Sequence, residues 1–264
     1  AYSVFAAEGI KNGQTLDDEF VPVSVLRMED AEGEVWLDWE TPQSQAVVSP
    51  QLAYLMNDML RDETARWASL GASNLLALTR PAAAKLGRME DARSAWTIGY
   101  TPRRVAVAWR SAEEEFSPKV TAGLWNALLE NASADLPPEN WDAPVGISRV
   151  DVCDPSGLLP TAACPNIVSE VFLNGSEPSQ YDSLYRNFEI NRETGYLATV
   201  FTPLALVEEK TYMIVPPEAE AWAEDAGIET PPTSYDAILA PPRLANAYLP
   251  EPELFADVPG EVAL

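Results

Sequence analysis

The hydrophobic pattern of the first 135 residues changes period several times, and each change predicts an element. AYSVFAAEG, residues 1–9, reads as the end of a helix stopped by Gly9. Residues 23–39, VSVLRMEDAEGEVWLDW, alternate and turn at Ala31-Glu32-Gly33, which predicts a hairpin. Ser49 followed by Pro50 is a helix start, with serine as N-cap and proline at the first helical position. Leu52, Leu55, Met56, Met59 and Leu60 then recur on one stripe, expected to be core. AWTIGY (95–100) and RVAVAWR (104–110), joined through Thr101-Pro102-Arg103, predict a second hairpin with Val105, Val107 and Trp109 on one face. TAGLWNALLENA (121–132) places Leu124, Trp125, Leu128 and Leu129 on one side of another helix. Helix, strand, hairpin, helix predicts an α+β layer architecture, an antiparallel sheet covered by helices.

Beyond this stretch the pattern breaks up. Six of the 23 prolines precede residue 136 and seventeen follow it, including the pairs Pro216-Pro217, Pro231-Pro232 and Pro241-Pro242. A boundary is expected near residue 140, giving a first domain at 1–139 and a Pro-rich extension of short strands and loops at 140–264. PPEAEAWAEDAG predicts a short helix from Pro217 to Asp225, stopped by Gly227, with Trp222 docked on the extension. No internal repeat is evident from the residues alone.

Composition narrows the chemistry. Forty-one acidic against 17 basic residues give a net charge of −24, which would repel nucleic acid and anionic lipid. The absence of histidine removes Ser-His-Asp and Cys-His catalysis and imidazole metal sites together. With only Cys153 and Cys164, thiolate zinc sites fail as well, and neither metal nor cofactor is expected. The two cysteines flank a loop rich in turn formers, VCDPSGLLPTAACP. They read either as a disulfide, which implies an oxidising compartment, or as two free thiols. No apolar run reaches the ~18–20 residues that span a bilayer, so any anchor or address is expected outside this chain. The acidic groups Asp17-Asp18-Glu19, Glu113-Glu114-Glu115 and Glu208-Glu209 have neither calcium-loop nor acid-pair spacing and are expected on solvated faces.

Several stretches taken in order carry a resemblance: AYSVFAAEG, VVSPQLAYLMNDMLRDET, PAAAKLG, AWTIGYTP, and then VCDPSGLLPTAACP and INRETGYLATVFTP. The chain resembles the C-terminal half of the transpeptidase domain of class A penicillin-binding proteins, followed by the extension found in some of them. The resemblance implies a partial transpeptidase fold of the serine β-lactamase type, with peptidoglycan peptide as a conceivable ligand. It implies an extracytoplasmic location, periplasmic or cell-surface, with membrane association through a segment or partner outside the chain. It also implies that an upstream half of the domain, or another subunit, covers the sheet.

In that family a serine in S-x-x-K is acylated, S-x-N shuttles protons and K-T-G lines the cleft. The four lysines here are preceded three positions earlier by Glu8, Ala82, Phe116 and Val207, and no serine is followed two positions later by asparagine. No catalytic residue is therefore assigned within these 264 residues. In the family both motifs lie upstream of the matching point. The third motif is altered: Lys85 and Gly87 match, Leu86 replaces a hydroxyl residue, and Arg88-Met89 follow. Lys85, Leu86, Gly87 and Arg88 form the candidate ligand-binding set. Lys85 and Arg88 would supply charge, Leu86 would pack inward without donating a hydrogen bond, and Gly87 would admit a closely packed element. Lys11-Asn12-Gly13, also K-x-G, is expected in a turn. Two functions stand: a non-catalytic chain of transpeptidase ancestry acting in binding or structure, or the C-terminal part of an active D,D-transpeptidase.

Overall fold

The computed structural model describes residues 1–236, so the Pro241-Pro242 pair lies outside the described residues. The architecture is α+β, several small antiparallel sheets with few helices. The chain divides into two compact units: Ala1–Ser148 with Val171–Gly175, and Arg149–Glu170 with the described residues 176–236.

The first unit opens with helix α1 (Tyr2–Ala6) and strand β1 (Ile10–Leu16). Lys11-Asn12-Gly13 is not in a turn: it lies inside β1, paired with β5 (Gln43–Ala46), while the following residues Gln14–Leu16 pair with β2 (Glu19–Val21). A Cβ on Gly13 would lie 2.1 Å from the Val21 carbonyl oxygen, so glycine here serves close strand packing. Asp17 and Asp18, at φ 49° and 66°, form the tight β1–β2 turn. The expected hairpin is present as β3 (Arg27–Glu29) and β4 (Val35–Asp38), with Gly33 at φ 88° in its turn.

The turn of this hairpin is held by Asp30, whose carboxylate accepts from the Glu34 amide at 2.8 Å, the Glu32 amide at 3.1 Å and the Trp36 indole at 3.3 Å. The Glu34 amide, with smaller contributions from the other donors, holds the Asp30 carboxyl below its ordinary value of 3.8. A carboxyl depressed by folding adds stability above its unfolded pKa, and that contribution is lost as pH falls through the folded value. Acidification to below 3.8 is therefore expected to release the turn, seen by NMR as loss of exchange protection at the Glu34 amide. In Asp30→Asn, protection that was already low at neutral pH and changed little on acidification would agree; full protection at neutral pH would not.

Helix α2 (Pro50–Arg61) is capped as the sequence predicts, Ser49 Oγ accepting from the Leu52 amide at 3.2 Å. Its buried face is a correction. Ala53, Tyr54 and Asn57 are buried, whereas Leu52 and Met59 are 48% and 62% exposed. The inward face is chosen by α1, since Asn57 donates to the Phe5 carbonyl at 3.0 Å and accepts from the Tyr100 hydroxyl at 2.8 Å. Helix α3 (Thr64–Leu70) follows, then the three-stranded sheet β6 (Ala83–Arg88), β7 (Ser94–Tyr100) and β8 (Val105–Ser111), and helix α4 (Lys119–Ala132).

Alternation along the sheet decides the core. Ala84, Ala108 and half-buried Leu86 face α4, where Trp125, Leu129 and Ala122 complete a cluster with Leu76. Gly99 is the glycine this packing requires: a Cβ there would lie 2.4 Å from Trp125 Cζ2 and 2.5 Å from the Ala83 carbonyl oxygen. On α4, Trp125 and Leu129 are buried as expected, but Leu124 and Leu128 are 52% and 47% exposed. At the other end of the sheet Ala83 and Tyr100 join Ala6, Tyr54 and Trp141 in a second cluster. Trp141 donates its indole N–H to the Ala6 carbonyl at 3.0 Å.

The second unit contains the pair β9 (Ile147–Cys153) and β10 (Ile167–Leu173), both of which extend into the first unit's residues, and the antiparallel pair β11 (Tyr185–Asn191) and β12 (Val207–Met213). Cys153 and Cys164 are joined as a disulfide with their Cα atoms 5.8 Å apart, which settles the two sequence readings. The Pro217–Asp225 helix is a short 3₁₀ turn, Pro217–Ala219, running into α5 (Glu220–Asp225). Trp222 is not docked: it is 58% exposed, and Ala223 is the residue that α5 buries.

Candidate functional site

The candidate set sits on β6, at one edge of its sheet. Lys85 pairs with Ile98, Leu86 with Thr97, Gly87 with Trp96 and Arg88 with Ala95. Because side chains alternate, Lys85 and Gly87 share one face and Leu86 and Arg88 occupy the other, so the structure does not bring the two cations of the candidate set together. Leu86 packs against the cluster of Leu76, Ala84 and Trp125. Lys85 and Arg88 are exposed, and the Lys85 ammonium donates to the neighbouring Leu86 carbonyl at 3.1 Å. Gly87 corrects the sequence reading: it is exposed, and a Cβ there would meet only the Trp96 Cβ at 4.0 Å, so no closely packed element demands glycine.

The face that carries Lys85 continues across the sheet as Trp96 and Ile98 on β7, then Val107 and Trp109 on β8. Trp96 and Trp109 are cross-strand partners with ring centroids 5.5 Å apart, and the Trp109 indole donates to Ser94 Oγ at 3.0 Å. They are 49% and 56% exposed, and Val107 is 46% exposed. The shared face of Val105, Val107 and Trp109 is legible in sequence; its exposure is not. Helices α1 and α2 cover only the Tyr100 end of this face. The result is a cation at the margin of an open aromatic and aliphatic surface, with Arg88 one strand position beyond Gly87. Among the described residues no strand pairs with the outer edge of β6 or of β8.

Such an arrangement can hold an extended chain along the β6 edge by backbone hydrogen bonds and attract a carboxylate to Lys85, while Arg88 lies on the opposite face of the strand. It lacks a hydroxyl at position 86 to grip that carboxylate, and no hydroxyl and lysine are spaced as S-x-x-K anywhere in the sequence. The acidic groups Asp17-Asp18-Glu19, Glu113-Glu114-Glu115 and Glu208-Glu209 are all exposed. No group of three or more potential metal-ligating side chains occurs among the described residues. No helix among them is long and apolar enough to cross a membrane.

Comparison with known proteins is consistent with this geometry. The family model "Penicillin-binding protein 1A, C-terminal domain" matches residues 143–187. Penicillin-binding protein 1A of Clostridium perfringens is 30% identical over 206 residues, 72% of this chain and 23% of that protein. The Clostridium novyi protein of the same name is 25% identical over 235 residues, 85% of this chain and 26% of that one. The chain thus spans about a quarter of the length of the curated relatives it matches. The crystal structure of penicillin-binding protein 1A from Haemophilus influenzae superposes with a TM-score of 0.52 at 17% identity, covering 69% of this chain and 32% of that one, a likeness of fold. Over most of its length, then, the chain is a distant homologue of the C-terminal region of class A penicillin-binding proteins, related to penicillin-binding protein 1A.

Proposed function

We propose that this polypeptide is a non-catalytic, transpeptidase-derived element of a bacterial cell envelope that acts by binding or structure. The observation that carries the reading is position 86. An isobutyl side chain turned into the Trp125 cluster stands where the related motif needs a hydroxyl. A carboxylate desolvated at Lys85 would lack that partner, at a cost of about 1–3 kcal/mol. Lys85 retains attraction for an anion, so weak binding of a carboxylate-ended peptide, such as a peptidoglycan stem, accompanies the loss of chemistry. The open face around Trp96 and Trp109 and the exposed β8 edge call for a cover, an upstream half of the domain or another subunit. The Cys153–Cys164 disulfide supports an extracytoplasmic location, with membrane attachment through a segment or partner outside these residues.

A second reading is favoured by the relatives' length, of which the chain matches 23% and 26%: it is the C-terminal part of an active D,D-transpeptidase. A fluorescent penicillin separates the two. The 264-residue chain is expected to remain unlabelled after denaturation. Covalent label on any serine of this chain would overturn the non-catalytic reading. Label on an S-x-x-K serine of a longer natural protein containing it would establish the second.

A further inference from the structure

Two loops in the second unit are closed by the same hydrogen bonds. In the first, the Cys153 amide donates to the Leu158 carbonyl at 2.8 Å and the Gly157 amide to the Cys153 carbonyl at 2.8 Å. In the second, the Asn191 amide donates to the Tyr196 carbonyl at 2.8 Å and the Gly195 amide to the Asn191 carbonyl at 2.7 Å. Gly157 and Gly195 hold left-handed φ values of 69° and 74°. The Cys164 amide then donates to the Thr161 carbonyl at 3.1 Å, and the Thr202 amide to the Thr199 carbonyl at 2.9 Å.

A distant tyrosine-aspartate pair latches each loop. The Leu159 amide donates to the Gln180 carbonyl at 2.9 Å and its own carbonyl accepts from the Asp182 amide at 2.7 Å. The Leu197 amide donates to the Ser234 carbonyl at 3.0 Å and its own carbonyl accepts from the Asp236 amide at 2.8 Å. Both contacts are isolated parallel bridges, Leu159 to Tyr181 and Leu197 to Tyr235. Burial agrees as well: Val152, Cys153 and Asp182 are buried in one, Ile190, Asn191 and Asp236 in the other.

Aligned by these bonds, VDVCDPSGLLPTAACP (150–165) faces FEINRETGYLATVFTP (188–203), with Gly157 on Gly195, Leu159 on Leu197, Thr161 on Thr199 and Pro165 on Pro203. The following strands, β10 and β12, correspond next, and Gly175-Ser176-Glu177 corresponds to Gly227-Ile228-Glu229. Gly175 and Gly227 are again left-handed, at φ 90° and 68°. Helix α5 falls between β12 and Gly227 as an insertion.

We infer that residues 185–236 are a second, diverged copy of residues 147–182, which lie within the stretch that the family model matches at 143–187, so that the extension is a tandem repeat of two hairpins, each with a looped end latched by Tyr-Asp. Such a repeat is not evident from the residues alone. The copies differ in how the loop is pinned. The first uses the Cys153–Cys164 bond; in the second, Asn191 and Thr202 occupy those places and Asn191 donates a side-chain hydrogen bond to Asp236. Reduction accordingly frees the first loop and leaves the second closed.

The equivalence predicts a bond that evolution did not place. In the full chain, Asn191→Cys combined with Thr202→Cys is expected to form a second disulfide under the oxidising conditions that form the first, found by peptide mapping of unreduced protein as a 191–202 link. Cysteines 191 and 202 left free in folded protein, or paired with 153 and 164, would overturn the inference. Since that variant removes the partner of buried Asp236, hydrogen exchange on a second variant covers a failure to fold. Gly195→Val is expected to raise exchange at least tenfold at Gly195, Leu197 and Asp236 together, and Gly157→Val to do so at Gly157, Leu159 and Asp182. Changes confined to the substituted residue's own turn, with the latch amides of Asp236 and Asp182 still protected, would show two unrelated loops.

Discussion

Truncating Trp125 to alanine is expected to destabilise the first unit by about 3–5 kcal/mol, the range for removing a fully buried aromatic side chain. Trp125 has 0% exposure and touches both halves of its core, the α4 side through Leu129 and the sheet side through Ala84 and Ala108. Its indole N–H has no hydrogen-bond partner among the described residues, so the loss is a packing loss. Trp125→Phe is expected to cost clearly less than alanine, because it removes that unmatched N–H while keeping an aromatic ring. Gly99→Ala attacks the same contact from the sheet. Its Cβ, 2.5 Å from the Ala83 carbonyl oxygen, meets backbone that cannot rotate away, which costs about 1–3 kcal/mol. Urea denaturation of the single and double variants checks the assignment. The double variant should be less unstable than the sum, since removing Trp125 relieves the 2.4 Å contact with its ring and leaves only the one with the Ala83 carbonyl oxygen. Strict additivity would mean that the two residues do not share a contact.

The second large effect is expected in the other unit. Replacing Cys153 and Cys164 by serine should remove about 2–4 kcal/mol, chiefly by freeing the unfolded chain. Cys153 has 0% exposure, so a serine hydroxyl there adds an unmet polar group to the loss. The change should be seen in denaturation followed by Tyr and Trp fluorescence, with reduced wild type below oxidised and the double-serine protein lower still by about 1–3 kcal/mol. A double-serine variant as stable as oxidised wild type would show that the Leu159–Asp182 latch closes this loop without covalent help. Exchange at Gly195 and Leu197 should be unchanged in either protein, because the second loop carries its own closure.

Local chemistry makes much of the chain legible from its residues alone. Ser49-Pro50 predicts the start of α2 because capping and a fixed proline φ act within one helical turn. Gly33 marks the β3–β4 turn because the chain there needs a left-handed residue. The order of motifs carries the relationship to penicillin-binding proteins. The altered K-L-G can be read because a missing hydroxyl is a property of residue type and needs no coordinates.

Which apolar stripe is buried is a different matter, since α2 and α4 each carry more hydrophobic surface than one neighbour can cover. Periodicity selects Leu52 and Met59 on α2, but the partner that exists, α1, binds the side bearing Ala53 and Asn57. The same holds for the outward face of Val107 and Trp109: alternation groups them, and only the position of α4 on the opposite side decides that they are exposed. Lys11-Asn12-Gly13 reads as a turn because glycine is ambiguous, and it takes the distant strand β5 to make it part of a sheet. The repeat is hidden in the sequence because few residues coincide, the inserted helix shifts the second Tyr-Asp pair relative to its loop, and the signature lies in backbone hydrogen bonds. Sequence therefore determined the start of α2, the two hairpins and the altered K-L-G motif, because those depend on neighbours along the chain. Tertiary structure alone decided burial, strand partners and the equivalence of the two latched loops, because those depend on which distant surfaces meet.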